Sequence, residues 1–129
     1  MEKRRVVITG MGTVNPVGGT VADSWTAVKE GRCGIGPITR YDTSNMKVKL
    51  AGEVRDLDID GLLGRRETKK MDRFTQLALV AADECMADSG LDRERTALDR
   101  CGVIFSSGIG GFETVGEAHR RGSERGYDT

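Results

Sequence analysis

Apolar residues fall at Phe74, Leu77, Ala78, Ala81 and Cys85, a spacing of i, i+3, i+4, i+7 and i+11 that traces one face of an α-helix. Leu79, Val80, Ala82 and Met86 carry the apolar arc most of the way round, leaving Asp72, Gln76 and Asp83 a narrow polar strip. A helix this apolar is expected inside a domain rather than on its surface. Asp72 suits its N-cap and Gly90 its left-handed stop. Two short β-branched runs, Arg4 to Thr9 and Cys101 to Ser106, predict buried strands. A shorter helix is expected after Thr20, with Asp23 in capping-box position, a stripe of Val21, Trp25 and Val28, and Gly31 as its stop. Trp25 reads as a core anchor. Residues 32–45 read as irregular, and Val48 to Val54 alternates like an edge strand or hairpin arm. A polar helix from Phe112 to about Arg121 and a flexible tail over 120–129 complete the pattern. This order predicts one domain with α/β layering around a parallel sheet.

Composition narrows the function more than the fold. Twenty basic and twenty acidic residues cancel, and the sequence pI is near 6.6. Nothing in that balance attracts nucleic acid or an anionic membrane. No run approaches the ~18 apolar residues of a membrane span, and the charged opening MEKRRVVITG does not read as a signal peptide. Cys33, Cys85 and Cys101 are odd in number and widely spaced, which fits a reducing cytoplasm better than disulfides or zinc. No metal and no cofactor is expected. Gly10-x-Gly12 after a strand has the start of a dinucleotide fingerprint, but Asn15-Pro16 stands where the third glycine belongs, so a tight structural loop is expected. Asp56, Asp58 and Asp60 alternate like calcium ligands without the glycine and glutamate that complete such a loop, and read as a solvated turn. His119 is the only histidine, so no Ser-His-Asp or Cys-His constellation assembles.

One charge cluster breaks the overall neutrality. Arg65, Arg66, Lys69, Lys70 and Arg73 face only Glu67 and Asp72 within nine residues. Spacings of four would place Arg65, Lys69 and Arg73 on one helical face. Cations just ahead of a helix oppose its macrodipole at roughly 0.3–1 kcal/mol each when exposed. Local stability therefore gives no reason for them. A docking patch for an acidic partner does, because clustered charge steers association and sets register; a solvated lid over the long helix is the alternative.

Four segments together resemble a known family. RRVVITGMGTVNPVG at 4–18, TVADSWTAVKEGRCGIGPITRYDTS at 20–44, RRETKKMDRFTQLALVAADECMADSGL at 65–91 and GVIFSSGIGG at 102–111 resemble the beginning of a β-ketoacyl-acyl carrier protein synthase, most nearly the synthase II type. The resemblance implies the N-terminal part of a thiolase-like fold, layered α/β/α/β/α and incomplete in this chain. It implies an acyltransferase of fatty acid biosynthesis, homodimeric when full length, performing decarboxylative condensation of an acyl thioester with malonyl-acyl carrier protein. The family's nucleophilic cysteine, two histidines and lysine would lie beyond Thr129, so this chain alone is expected to be inactive. Residue by residue, Arg65, Arg66, Lys69, Lys70 and Arg73 align with the docking site for acyl carrier protein and its phosphopantetheine-linked acyl groups. Ile109, in the GIGG turn, aligns with a wall of the acyl pocket. A polyketide ketosynthase or its chain-length partner shares the same opening, and a non-catalytic carrier-protein-binding domain is the alternative from another class.

Overall fold

Thr20 opens the first helix, α1 (Val21–Lys29), through its side chain. Its hydroxyl accepts the Asp23 backbone N–H at 3.1 Å and donates to the Asp23 carboxylate at 2.7 Å. Gly31, at φ +67°, closes the helix. The Gly31 N–H reaches the Val28 carbonyl, and the Arg32 N–H reaches back to Ala27, the paired bonds of a Schellman stop. Both ends match the sequence pattern; the buried face does not. Ser24 and Ala27 are buried, whereas Trp25 is 61% exposed and Val28 is equally open. Trp25 is therefore not a core anchor here.

This computed structural model describes residues 3–127. After α1 come β1 (Ile35–Pro37), β2 (Leu50–Gly52), α2 (Ile59–Leu63), α3 (Arg65–Thr68), α4 (Arg73–Ser89), a 3₁₀ turn at Leu98–Arg100, and α5 (Phe112–Arg125). β1 and β2 form a two-stranded antiparallel sheet, with Ile35 opposite Gly52 and Pro37 opposite Leu50. β2 lies inside the expected hairpin arm; its partner comes from a stretch expected to be irregular. Among the described residues this is the only sheet, so the expected parallel pairing is absent. The runs at 4–9 and 102–106 form no strand, and Val6 and Ile104 are almost wholly exposed. Their β-branched character is real, but parallel pairing needs partners brought together over long sequence separations, and the described chain supplies none. α5 runs on to Arg125, through the first part of the segment read as a tail; residues 128–129 lie outside the described range.

α4 begins and ends as its pattern predicts. Asp72 is the N-cap residue, though its side chain accepts no capping bond, and Gly90 adopts the left-handed stop. The helix is half-buried rather than enclosed. Val80 is its only buried residue, at 8% exposure, and Leu79 and Met86 face solvent. Ile59 of α2, Ala27 of α1 and Val80 are the buried apolar side chains among the described residues.

The opposite edge of α4 holds the Gly10–Thr13 loop by its backbone. Asp88 accepts the Met11 N–H at 2.8 Å, and the Cys85 thiol donates to the Gly10 carbonyl at 3.4 Å. Glu84 accepts the Thr13 N–H at 2.9 Å through one oxygen and the Val21 N–H at 2.8 Å through the other. Its carboxylate thus joins loop, α4 and the first turn of α1, where the helix dipole favours negative charge. The loop lies so near that a Cβ on Gly12 would sit 1.9 Å from the Ala81 carbonyl oxygen. The Gly10-x-Gly12 pair serves close helix packing, as a structural loop should. Asn15 extends the network, accepting the Val17 N–H at 2.9 Å and donating to the Ser24 hydroxyl at 2.7 Å.

Candidate functional site

The basic cluster is carried by α3 and the turn that follows it, not by one continuous helix. α3 ends at Thr68, and Lys69 is its C-cap. The turn then closes through Lys70 N–H to Glu67 O and Met71 N–H to Thr68 O. The single helical face predicted for Arg65, Lys69 and Arg73 is therefore broken at residues 69–72. What replaces it is a stiffly held turn. Thr68 is buried, and its hydroxyl meets the Asp60 carboxylate at 2.5 Å. Gln76, from the first turns of α4, donates to the carbonyls of both Thr68 and Met71, at 2.8 and 3.1 Å. These bonds fix the backbone that presents the cations. Sequence reasoning missed Asp60, Thr68 and Gln76 because their partners lie five to eight residues away, outside any single helical repeat.

Arg65, Arg66, Lys69 and Lys70 are all exposed. Lys70 pairs with Glu67 at 2.7 Å; Arg65, Arg66 and Lys69 have no ion-pair partner among the described residues. Three uncompensated cations therefore share one short surface segment. Arg73 is separated from them. It is half-buried and donates through Nη2 to the Val54 carbonyl at 3.2 Å. Burial lowers its pKa from the ordinary arginine value, the nearby Arg40 guanidinium adds to the shift, and Glu113 opposes it. An arginine remains a cation under such conditions, but this one braces α4 against the segment after β2.

Arg73 and Arg40 share the rim of a cleft of about 670 Å³ with Glu113, and Val14, Val54 and Leu77 supply its apolar lining. Arg40 spans it, pairing with Glu113 of α5 at 2.6 Å. A second cleft, of about 540 Å³, lies between the Asn15–Gly19 loop, β1 and the segment from Glu53 to Leu57. Cys33 is on its wall. Glu53 organises that side, accepting the Thr39 hydroxyl at 2.8 Å, the Thr39 N–H, and the Arg55 guanidinium. The bonds from Thr39, side chain first and then backbone, lower the Glu53 pKa from the ordinary carboxylate value.

Ile109 lines neither cleft. It is 74% exposed in the turn before α5, where Gly110 lies close against the Phe74 ring. Cys33 and Cys101 are exposed thiols and Cys85 is half-buried, so Cys101 is not the buried strand residue its sequence context suggested. His119 is exposed on α5 and shares a 3.0 Å hydrogen bond with the Tyr127 hydroxyl. Among the described residues, no three His, Cys, Asp or Glu side chains converge as metal ligands, and no helix is long and apolar enough to cross a membrane.

Known proteins place this arrangement. The family profile described as Beta-ketoacyl synthase, N-terminal domain, matches residues 3–128. The chain is 44% identical over 125 residues to 3-oxoacyl-[acyl-carrier-protein] synthase 2 of Staphylococcus aureus (strain COL), covering 97% of this chain and 30% of that protein. It is 43% identical over 128 residues to the enzyme of the same name from Coxiella burnetii, covering 99% of this chain and 29% of that one. The chain thus spans about 30% of the length of the curated relatives it matches. Among solved structures, the ishigamide ketosynthase/chain length factor superposes with a TM-score of 0.77 at 27% identity, over 97% of this chain and 31% of the other. Its backbone is accordingly the leading part of a thiolase-like fold. The chain belongs to the β-ketoacyl synthase family, of which it carries the N-terminal domain region.

Proposed function

We propose that this chain is the carrier-protein-docking portion of a β-ketoacyl-acyl carrier protein synthase that performs decarboxylative condensation in fatty acid biosynthesis. The observation that carries this reading is the exposed trio Arg65, Arg66 and Lys69, free of ion pairs among the described residues and mounted on a turn locked by Gln76 and Asp60. Side chains held ready and uncompensated at a fixed backbone suit recognition of an acidic surface. Lys70 contributes after exchanging Glu67 for the partner. Arg73 acts as a brace and not as a contact. Identity of 43–44% to synthases named for acyl carrier protein, against 27% to a ketosynthase/chain length factor, favours the fatty acid reading over a polyketide one.

In this reading the condensing chemistry, the homodimer and a cytoplasmic setting belong to the complete synthase. Ile109 becomes an acyl-pocket wall when the rest of the fold covers the turn it stands on. The test is carrier-protein affinity of a synthase carrying residues 1–129 as its leading segment, wild type against the double variant Arg66→Glu, Lys69→Glu. Exposed pairs contribute about 0–1 kcal/mol each, and reversal turns attraction into repulsion, so about tenfold weaker binding is expected at low salt. The loss should lie mainly in the association rate and shrink at physiological salt, where the Debye length is about 8 Å. Unchanged affinity at low salt would reduce the cluster to a solvated lid over α4.

A further inference from the structure

The turn that carries Ile109 rests on a single aromatic ring. A Cβ on Gly110 would sit 2.9 Å from Cζ of Phe74 and 3.0 and 3.1 Å from its two Cε atoms, so the far edge of the ring meets that glycine. Carbon atoms in contact stand about 3.5–4.0 Å apart, so the ring leaves no room for a side chain. Backbone conformation does not call for glycine at this position, since Gly111 has a positive φ and Gly110 does not. A second contact comes from the same end of α4. Asp72, whose carboxylate makes no capping bond, lies against Gly111, where a Cβ would be 3.3 Å from Oδ2. No hydrogen bond among the described residues ties 107–110 to α4. The distance between turn and helix is therefore set by contact, and at Gly110 the contact is ring against backbone.

We infer that Phe74 is a positioning residue of the condensation, setting the depth of the acyl pocket through the height of the Gly110 turn and so the length of acyl thioester the synthase accepts. The inference rests on the reading that Ile109 borders that pocket. Ile109 adjoins Gly110 and is 74% exposed, so it is not packed on α4 and moves with the turn. Its open side is the one an acyl chain would meet. α4 is the fixed reference. Gln76 bonds its first turns to the carbonyls of Thr68 and Met71, and Glu84 and Asp88 bond its far end to the Gly10–Thr13 loop. Between this helix and the turn, the length of side chain 74 acts as a spacer. A shorter one lets the turn settle toward α4, and the pocket wall recedes. Extra length on either side of the contact lifts the turn instead. One methylene in an apolar pocket changes discrimination about 10–200-fold, so a displacement of that size reads out as preferred chain length.

The experiment measures kcat/KM of a synthase carrying residues 1–129 as its leading segment over a graded series of acyl thioesters. Gly110→Ala should shift the preference to shorter chains and Phe74→Leu to longer ones, each changing the long-to-short ratio about tenfold. Phe74→Tyr, whose hydroxyl extends the ring at Cζ, applies the same push as Gly110→Ala without altering the turn. The double variant Gly110→Ala, Phe74→Leu should return to within about twofold of the wild-type profile, because the shorter side chain makes room for the new methyl; losses from mere loosening of the fold would add instead. Carrier-protein affinity should be unchanged throughout, and a parallel loss of it would place the effect at the docking turn and overturn the inference. Ile109→Ala separates the two readings. If it shifts the profile while Phe74→Leu and Gly110→Ala do not, the ring yields rather than the turn, and the inference falls while Ile109 keeps its place in the pocket. If none of these changes shifts it, the pocket reading falls and the inference with it. A double variant that loses as much as the two single changes together also overturns the inference.

Discussion

Glu84 shows how much one side chain can organise without belonging to any recognisable motif. One carboxylate takes N–H groups from Thr13 and Val21, residues far apart along the chain from α4. Hydrogen bonds to a charged group contribute about 1.5–3 kcal/mol. Glu84→Ala should therefore destabilise the chain, or a synthase carrying it, by roughly 2–4 kcal/mol, with amide protection lost first at Thr13 and Val21. Hydrogen exchange of those two amides would check it, and unchanged rates would mean solvent replaces the carboxylate without cost. Gly12 offers a second test by a different mechanism. With its Cβ position 1.9 Å from the Ala81 carbonyl, Gly12→Ala must push the loop off α4, and overpacking of this kind costs about 1–3 kcal/mol. Denaturant titration would read it as a lower midpoint. Arg73→Ala should likewise lower stability by loosening the Val54 contact, and leave the carrier-protein association rate unchanged.

At the scale of elements, what could be read in advance depended on how local the cause was. Both ends of α1 and α4 were legible, because caps and left-handed glycine stops are written within a few residues of the boundary. The buried faces were less so. Trp25 and Val28 lie on a plausible stripe, but the neighbouring layer here covers Ser24 and Ala27 instead. The basic cluster was visible as composition, yet its turn and the separation of Arg73 depend on Gln76 and Val54, which no spacing rule connects to it. The β1–β2 hairpin carries a pH expectation. Glu53 has its pKa lowered by Thr39, so it stabilises the hairpin side above the ordinary glutamate pKa of about 4.3. That contribution is lost as pH falls through the lower folded value. Thr39 and Ile38 amides should lose protection on acidification below about pH 4, and Glu53→Gln should remove the pH dependence.

The whole molecule has few buried side chains for its length. Ala27, Ile59 and Val80 are its buried apolar residues among those described, and no large side chain is fully enclosed. A chain of 129 residues has enough sequence for a stable domain, so size does not limit it; coverage does. Residues 1–129 alone should bind a hydrophobic dye and melt over a broad range. A sharp cooperative transition from a monomer would contradict that expectation.

α5 illustrates a different consequence of sparse packing. Among the described residues, Arg40–Glu113 is the only ion pair or side-chain hydrogen bond that ties α5 to the preceding chain. Two glycines, Gly110 and Gly111, form the joint before it, the second at φ +75°. The helix is thus an arm held by one electrostatic clasp, beyond a joint packed against the Phe74 ring. An exposed clasp of this kind contributes about 0–1 kcal/mol, and at about 1 M salt, where charges are screened within about 3 Å, it should open. A spin-label distance between α1 and α5 should then broaden with ionic strength in the wild type and be broad at every salt concentration in Arg40→Gln. Ionic strength would set how far the arm reaches.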